Sequence, residues 1–82
     1  MAKYFLHLRD SSDEVLDDEG VELGSLEEVK AAALAAARDV MVADVSEGLI
    51  DLRFRIDVED EHGAIVYSLG FQHAVNIVPP AG

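Results

Sequence analysis

The sequence lacks cysteine and tryptophan altogether, and it has only two prolines in 82 residues. Without cysteine, the chain can form neither a disulfide scaffold nor a zinc or iron–sulfur site with thiolate ligands. Hydrophobic residues make up 50% of the chain, which argues against a disordered chain of this charge. Together these features predict one small globular domain.

Basic residues are also scarce: six Lys and Arg stand against 17 Asp and Glu, and the formal net charge is −11. Such a field repels phosphate backbones and anionic lipid surfaces, so we expect neither nucleic-acid binding nor membrane binding. It permits a basic protein partner or a divalent cation. Alternatively, the acidic residues serve only to keep the protein soluble.

Long apolar runs are absent as well. The first apolar stretch is interrupted by His7 and ends at Arg9, which is too short for a secretory signal peptide. No run approaches the roughly 20 apolar residues that a membrane-spanning helix needs. We therefore expect a cytoplasmic protein.

Alternating side chains predict a first strand over residues 3–9. One face of this strand would carry Tyr4, Leu6 and Leu8, and the other Phe5, His7 and Arg9. The acidic stretch 10–23 has two short apolar pieces between turn residues, which indicates an edge strand or hairpin of unreadable register. Its many carboxylates would protect a sheet edge from pairing with other chains.

A helix is predicted from Ser25, the N-cap, to about Val45, with Gly48 just beyond its end. Glu28 lies three residues after Ser25, which is the capping-box spacing. The apolar stripe that should face the sheet follows the helical period. It comprises Leu26, Val29, Ala33, Leu34, Ala36, Ala37, Val40, Met41 and Val45.

After Gly48 the period changes to two, and residues 52–58 alternate between apolar and charged. The turn 60–63 would return the chain as a partner strand over residues 64–69. If Glu59 pairs with Ala64, then Val58 faces Ile65 and all apolar pairs share one face. The two remaining pairs in this register are Ile56 with Tyr67 and Phe54 with Leu69.

The helical spacing of Phe71, Ala74 and Val75 predicts a last turn before a flexible tail. The fold class is therefore α+β: a single helix packed on one face of a small, mainly antiparallel sheet, in the order ββαββ. We expect one compact domain over residues 1–76 and a flexible C-terminal tail over residues 77–82.

No catalytic or cofactor site is expected. The three histidines, His7, His62 and His73, do not share metal-ligand spacing, and no phosphate-binding, nucleophile-elbow or metalloprotease motif is present. The segment from Asp57 to Gly63 fails the EF-hand pattern, because its glycine comes seventh instead of sixth. Weak divalent-cation binding there, or in residues 10–22, stays an alternative to a solvated turn and edge.

The sheet face away from the helix is the predicted interaction surface. Arginine and aromatic side chains often anchor interfaces, although cross-strand ion pairing is the competing interpretation here. The residues expected to form the surface are Phe5, His7, Arg9, Arg53, Arg55 and Val66.

Three segments carry a resemblance to a known family. The first reads Y-F-x-H-x-R-D from Tyr4 to Asp10, and the second D-E-G-V-E-L from Asp18 to Leu23. An Ala- and Arg-rich helix and a hairpin ending at Phe71 follow. In these features the chain resembles the short bacterial proteins called domain of unknown function 6894, over almost its whole length. It departs from them at Leu6, where an aromatic is common, and at Gly24, where proline is common. The resemblance implies no activity, ligand or partner.

A weaker similarity links the helix start, Ser25-Leu26-Glu27-Glu28, to small acidic antitoxins of the HicB type, although their Pro-Gly-Cys loop is missing. The sequence thus predicts a non-enzymatic acidic interaction module that forms a homodimer through the open sheet face or an edge strand. The alternatives are an antitoxin-like binder of a basic protein and a weak divalent-cation binder.

Overall fold

Five strands form one antiparallel sheet, and one helix covers one of its faces, in a computed structural model that describes residues 1–81. This confirms the predicted α+β class, in roughly the predicted order ββαββ. The elements in chain order are β1 (Ala2–Arg9), β2 (Glu14–Val15), β3 (Val21–Leu23), α1 (Leu26–Ser46), β4 (Arg55–Asp60), β5 (Ile65–Gly70) and a 3-10 turn (Phe71–His73).

The strand order is β2-β1-β4-β5, and β3 also pairs with β1. Strand β2 pairs with the end of β1, Leu8 lying opposite Val15, whereas β3 pairs with its beginning, Ala2 lying opposite Leu23. Both short strands therefore occupy the same edge of β1. The edge strand predicted within residues 10–23 is therefore present, but as two short strands separated by a loop.

Local side-chain signals fix both ends of α1. The Ser25 hydroxyl accepts the Glu28 N–H at 3.2 Å, and the Glu28 carboxylate accepts the N–H of Gly24 in return. The helix ends at Ser46, and Gly48 follows with a left-handed φ of +84°. Both predicted helix boundaries are confirmed, because they depend on contacts between residues three or four apart.

The core lies between α1 and the covered sheet face. Ala33 and Ala37 are fully buried, which allows the helix backbone to approach the sheet closely. The other buried apolar residues are Val29, Met41, Ile56, Val58, Leu69, Phe71 and Ala74.

Leu26 and Val45 were predicted to belong to the buried stripe, but they are 54% and 55% exposed. The reason is length. The buried residues of this 21-residue helix run only from Val29 to Met41, so its first and last turns extend beyond the part that packs on the core.

The predicted register of the last hairpin is wrong. Asp60 pairs with Ala64 through the Asp60 N–H, and the Asp60 carboxylate accepts the N–H groups of His62 and Ala64. The loop therefore has three residues instead of four, with Gly63 at φ +83°. A bulge beyond Glu59↔Ile65 then shifts the pairing again, so that Val58 lies opposite Tyr67.

Strand β4 begins at Arg55, three residues later than the alternation in residues 52–58 predicted. Phe54 lies before it, where its carbonyl accepts the Phe71 N–H at 3.0 Å and its ring lies 6.0 Å from that of Phe71. The final turn is confirmed, with Phe71 and Ala74 buried. Residues 76–81 form no helix or strand, and Gly82 of the predicted tail lies outside the described residues. Among residues 1–81, no helix has the length and apolar character to cross a bilayer.

The close helix–sheet approach predicts a stability difference between two alanines of α1. Ala37→Leu should lower the free energy of unfolding by about 1–3 kcal/mol, because the larger side chain has no space beneath the helix. Ala35→Leu, on the exposed face of the same helix, should change it by less than about 0.5 kcal/mol. Urea unfolding of both variants measures the difference. Equal stability of the two would contradict the packing described.

Candidate functional site

The outer face of the sheet, opposite α1, carries the side chains that the alternation in β1 predicts. Phe5, His7 and Arg9 lie on this face, whereas Tyr4, Leu6 and Leu8 pack against the core. Across the ladder, Phe5 lies opposite Glu59, His7 opposite Asp57 and Arg9 opposite Arg55. The predicted assignment of the two faces of β1 is therefore confirmed.

Asp57 is the centre of the outer face. Its carboxylate accepts hydrogen bonds from Arg9 Nη1 at 3.1 Å, from Arg55 Nε at 3.1 Å and from the Ser68 hydroxyl at 2.6 Å. Only 5% of this residue is exposed. Burial opposes its ionisation, yet the bonds from Ser68, Arg9 and Arg55 outweigh burial and hold the pKa of the carboxyl below its usual value. Three strands are thus joined at one charged group.

Both arginines on this face are occupied within the molecule. Arg9 also bonds Glu14 of β2 at 3.0 Å, so that it connects the acidic edge to Asp57. The carboxylates of Glu14 and Asp57 raise the pKa of Arg9 above its usual value, and the bond to Glu14 contributes most. Partner binding through Arg9 or Arg55 would have to compete with these bonds.

His7 is buried, although it lies on the face that the helix leaves open; only 6% of the residue is exposed. Its Nδ1 accepts the N–H of Asp17 at 3.1 Å, and its Nε2 lies 3.6 Å from a carboxylate oxygen of Glu59. The Phe5 ring is parallel to it, at 6.4 Å between centroids. These contacts make His7 a support for the loop between β2 and β3.

Asp17 takes the place of a missing piece of edge strand. Its carboxylate accepts the N–H of Leu6 in β1 and the N–H groups of Glu19 and Gly20, all at 3.1 Å. Burial opposes ionisation here too, but the bonds from Gly20, Leu6 and Glu19 hold its pKa below normal. This role of Asp17 was not predicted from the sequence. An aspartate followed three residues later by glycine is a turn signal that would have indicated it.

Gly20 is required at this loop. Its φ is +74°, and a Cβ atom there would lie 2.9 Å from the carbonyl oxygen of Tyr4. Only glycine permits both the left-handed backbone and the close contact with β1.

The structure corrects the placement of Arg53, which was expected on the outer face. It precedes β4 and forms a two-bond ion pair with Asp51, at 3.0 and 2.9 Å. These bonds lower the pKa of Asp51 to about 2. Val66 lies in β5 at the bulge, without a Cα partner in β4, and 42% of it is exposed. Of the six predicted surface residues, Phe5, His7, Arg9 and Arg55 are together on the outer face.

Strand β5 forms the other edge of the sheet. Its six residues, Ile65–Gly70, include no charged side chain, and within residues 1–81 the strand pairs only with β4. Ile65 is 47% exposed and Val66 42%. This edge differs chemically from the opposite one, which is short, divided and acidic.

An apolar groove at the C-terminal end of α1 is the second exposed surface. Its volume is about 420 Å³, and Arg38, Met41, Val42, Val45, Ile50 and Ile77 are among its lining residues. Val42, Ile50 and Ile77 are each more than half exposed. The groove was not predicted from the sequence, although Val42 and Val45 lie three residues apart on α1, a spacing that would have indicated its helical wall.

The acidic segments offer no metal-binding geometry. Within residues 1–81, no three His, Asp or Glu side chains come together as ligands of one ion. Asp60 instead accepts backbone N–H groups of its own turn, and Asp10 does the same for Ser12 and Asp13. The cation-binding alternative gains no support from these contacts.

The ion cluster predicts a pH-dependent effect of Asp57→Asn. The folded-state pKa of Asp57 is lowered, so the carboxylate stabilises the fold above its unfolded-state pKa of about 4 and this stabilisation is lost as the pH falls through the folded-state pKa. At neutral pH the variant should lose about 1–3 kcal/mol in free energy of unfolding. The difference from the original protein should shrink in acid.

Urea unfolding at several pH values measures this difference. Asp18→Asn is the matched control, because Asp18 is exposed and no contact of its side chain holds the sheet. A loss of stability for Asp57→Asn that stays constant into strong acid would show that the carboxylate charge is not its cause.

Comparison with curated proteins and with solved structures gives no match for this chain. A family profile described as a domain of unknown function, DUF6894, matches residues 3–72. That range contains α1, β2 to β5 and nearly all of β1. It ends before Ile77, so one wall of the apolar groove lies outside it. The chain belongs to the DUF6894 family.

Proposed function

We propose that this protein is a non-enzymatic interaction module that forms a homodimer by pairing β5 with β5 of a second copy. The observation that carries the proposal is the character of that edge. An uncharged edge strand with exposed apolar residues is a template for pairing with another strand, and folded proteins usually protect such edges with charge, proline or a covering loop. Strand β5 carries neither charge nor proline.

The dimer would be two-fold symmetric. Antiparallel pairing of two identical strands places the same residues on both sides of the axis. Backbone N–H and C=O groups on the free side of β5 would then bond across the interface, and Ile65 and Val66 would lose exposed apolar surface. One sheet would continue through both copies.

The opposite edge is a poor alternative. Its strands have only two and three residues, and the Asp17 carboxylate already occupies the Leu6 N–H between them. Besides Asp17, residues 10–22 hold six acidic side chains: Asp10, Asp13, Glu14, Asp18, Glu19 and Glu22. A second copy would bring the same charges to the contact.

The outer face is less suited to self-association than β5. Arg9 and Arg55 are held by Asp57, and separating them would leave a buried carboxylate without its partners. Removing one partner of a buried ion pair is costly, because the remaining charge stays desolvated. We therefore assign the expected self-association to the edge strand instead of the open face.

The position of His7 also supports a binding role over a catalytic one. The His7 ring is held by Asp17 and lies beside Glu59, so it supports a loop instead of facing a cleft. A general acid or base has to reach the proton that it transfers.

Substitution of Val66 tests the interface. Val66→Lys should convert the dimer to a monomer, because lysine on an edge strand prevents pairing. The added positive charge lowers the net repulsion between two acidic copies, so any loss of association comes from the edge itself. Size exclusion with light scattering over a range of protein concentrations measures the mass. Val42→Lys is the control, since Val42 is 70% exposed on α1 and should leave the dimer intact.

A monomer of the original protein at every concentration would contradict the proposal. So would a Val66→Lys variant that dimerises as well as the original.

Salt should strengthen the dimer. Each copy carries a formal charge of −11, and two such copies repel each other in dilute buffer. Raising the salt concentration to about 0.5 M shortens the screening length to a few ångströms. Sedimentation equilibrium should then give a lower dissociation constant than in low salt. A dimer that dissociates as salt is added would indicate an interface held by ion pairs, such as the outer face.

A further inference from the structure

We infer that the apolar groove at the C-terminal end of α1 binds a basic amphipathic helix of a partner protein. The inference does not depend on β5 pairing, because the groove is formed by other elements. Its helical wall is Arg38, Met41, Val42 and Val45, and its other side includes Ile50 and Ile77.

The groove brings several exposed apolar side chains together in one place. Val42 is 70% exposed, Ile50 65% and Ile77 59%. They come from three separate segments that meet around one space of about 420 Å³. A contiguous apolar surface bordered by polar residues is typical of an interaction site. An amphipathic helix lays its apolar face into such grooves, with side chains spaced three and four residues apart.

Charge determines which kind of helix fits. The last turn of α1 has no basic residue, and Asp44 and the C-cap Glu47 lie there. The C-terminal end of a helix carries a partial negative charge of about half an electron, which cations stabilise. Here the last turn holds no basic residue, and the two carboxylates add their negative charge to the same end of the helix, although neither lines the groove itself.

Arg38, at the other end of the groove, is already bound to the Ala74 carbonyl at 2.9 Å. A partner helix with lysine or arginine flanking its apolar face would therefore supply the charge that the end of α1 lacks. A second copy of this acidic chain would not supply that positive charge. If two grooves faced each other, two negative helix ends would meet.

A designed peptide tests the inference directly. The probe is a labelled peptide of about 18 residues made of leucine and lysine, with leucine at helical spacing on one face. Two controls have the same length: a scrambled peptide of identical composition, and a peptide in which glutamate replaces lysine. Fluorescence anisotropy with the full chain measures binding of each.

The amphipathic basic peptide should bind, and the double variant Val42→Ser/Val45→Ser should weaken its binding about tenfold or more. Leu26→Ser is the matched control, because Leu26 is 54% exposed on the same helix but lies at its other end. It should leave the affinity unchanged. Val66→Lys should also bind the peptide normally, which separates this site from β5.

Equal binding of the scrambled peptide would overturn the inference, because charge alone would then account for the attraction. Equal or tighter binding of the glutamate peptide would overturn the charge argument. If the double variant does not fold, methyl NMR of the original protein decides: shifts at Ile50 and Ile77 on peptide addition support the groove, and shifts confined to other residues exclude it.

Discussion

The fold depends on one constraint: a single helix can cover only one face of the sheet. Strand β4 shows how the chain meets it. Ile56 and Val58 are buried beneath α1, and Asp57 between them is buried on the opposite face. Within residues 1–81 no second helix or sheet covers that face, and a network in which Asp57 holds Arg9 and Arg55 closes it. The ion pairs of the polar face therefore help to hold the strands together, as the apolar core does on the other face.

This arrangement changes where binding surfaces can lie. The arginines of an open sheet face are attractive anchors in principle, but here they hold strands together. The acidic edge is likewise occupied, because the Asp17 carboxylate replaces a stretch of strand pairing. Apolar side chains are exposed at this edge too, at Val15 and Leu16, but among acidic residues. Two further sets of exposed apolar side chains lie at β5 and at the C-terminal end of α1. The two proposed interactions use these two surfaces.

The sequence predicted what depends on neighbours along the chain. The Ser25 cap and the two faces of β1 are determined by residues a few positions apart, and both are confirmed. The predicted hairpin register was wrong for two reasons. The Asp60 side chain stabilises a turn one residue shorter than predicted, and a bulge then adds a residue to β5. The loop held by Asp17 joins residues 11 positions apart, and the groove joins α1 to Ile77. Local patterns can indicate the turn at Asp17 and the apolar face of α1, but they do not show which distant residues these contact.

Strand pairing between two copies can be observed directly by NMR. A sample mixing isotope-labelled and unlabelled protein reports only contacts between copies. The account predicts intermolecular Hα–Hα contacts within residues 65–70, at spacings of an antiparallel ladder. Intermolecular contacts at Phe5 and Arg55 with none in β5, or no intermolecular contacts at high concentration, would contradict it.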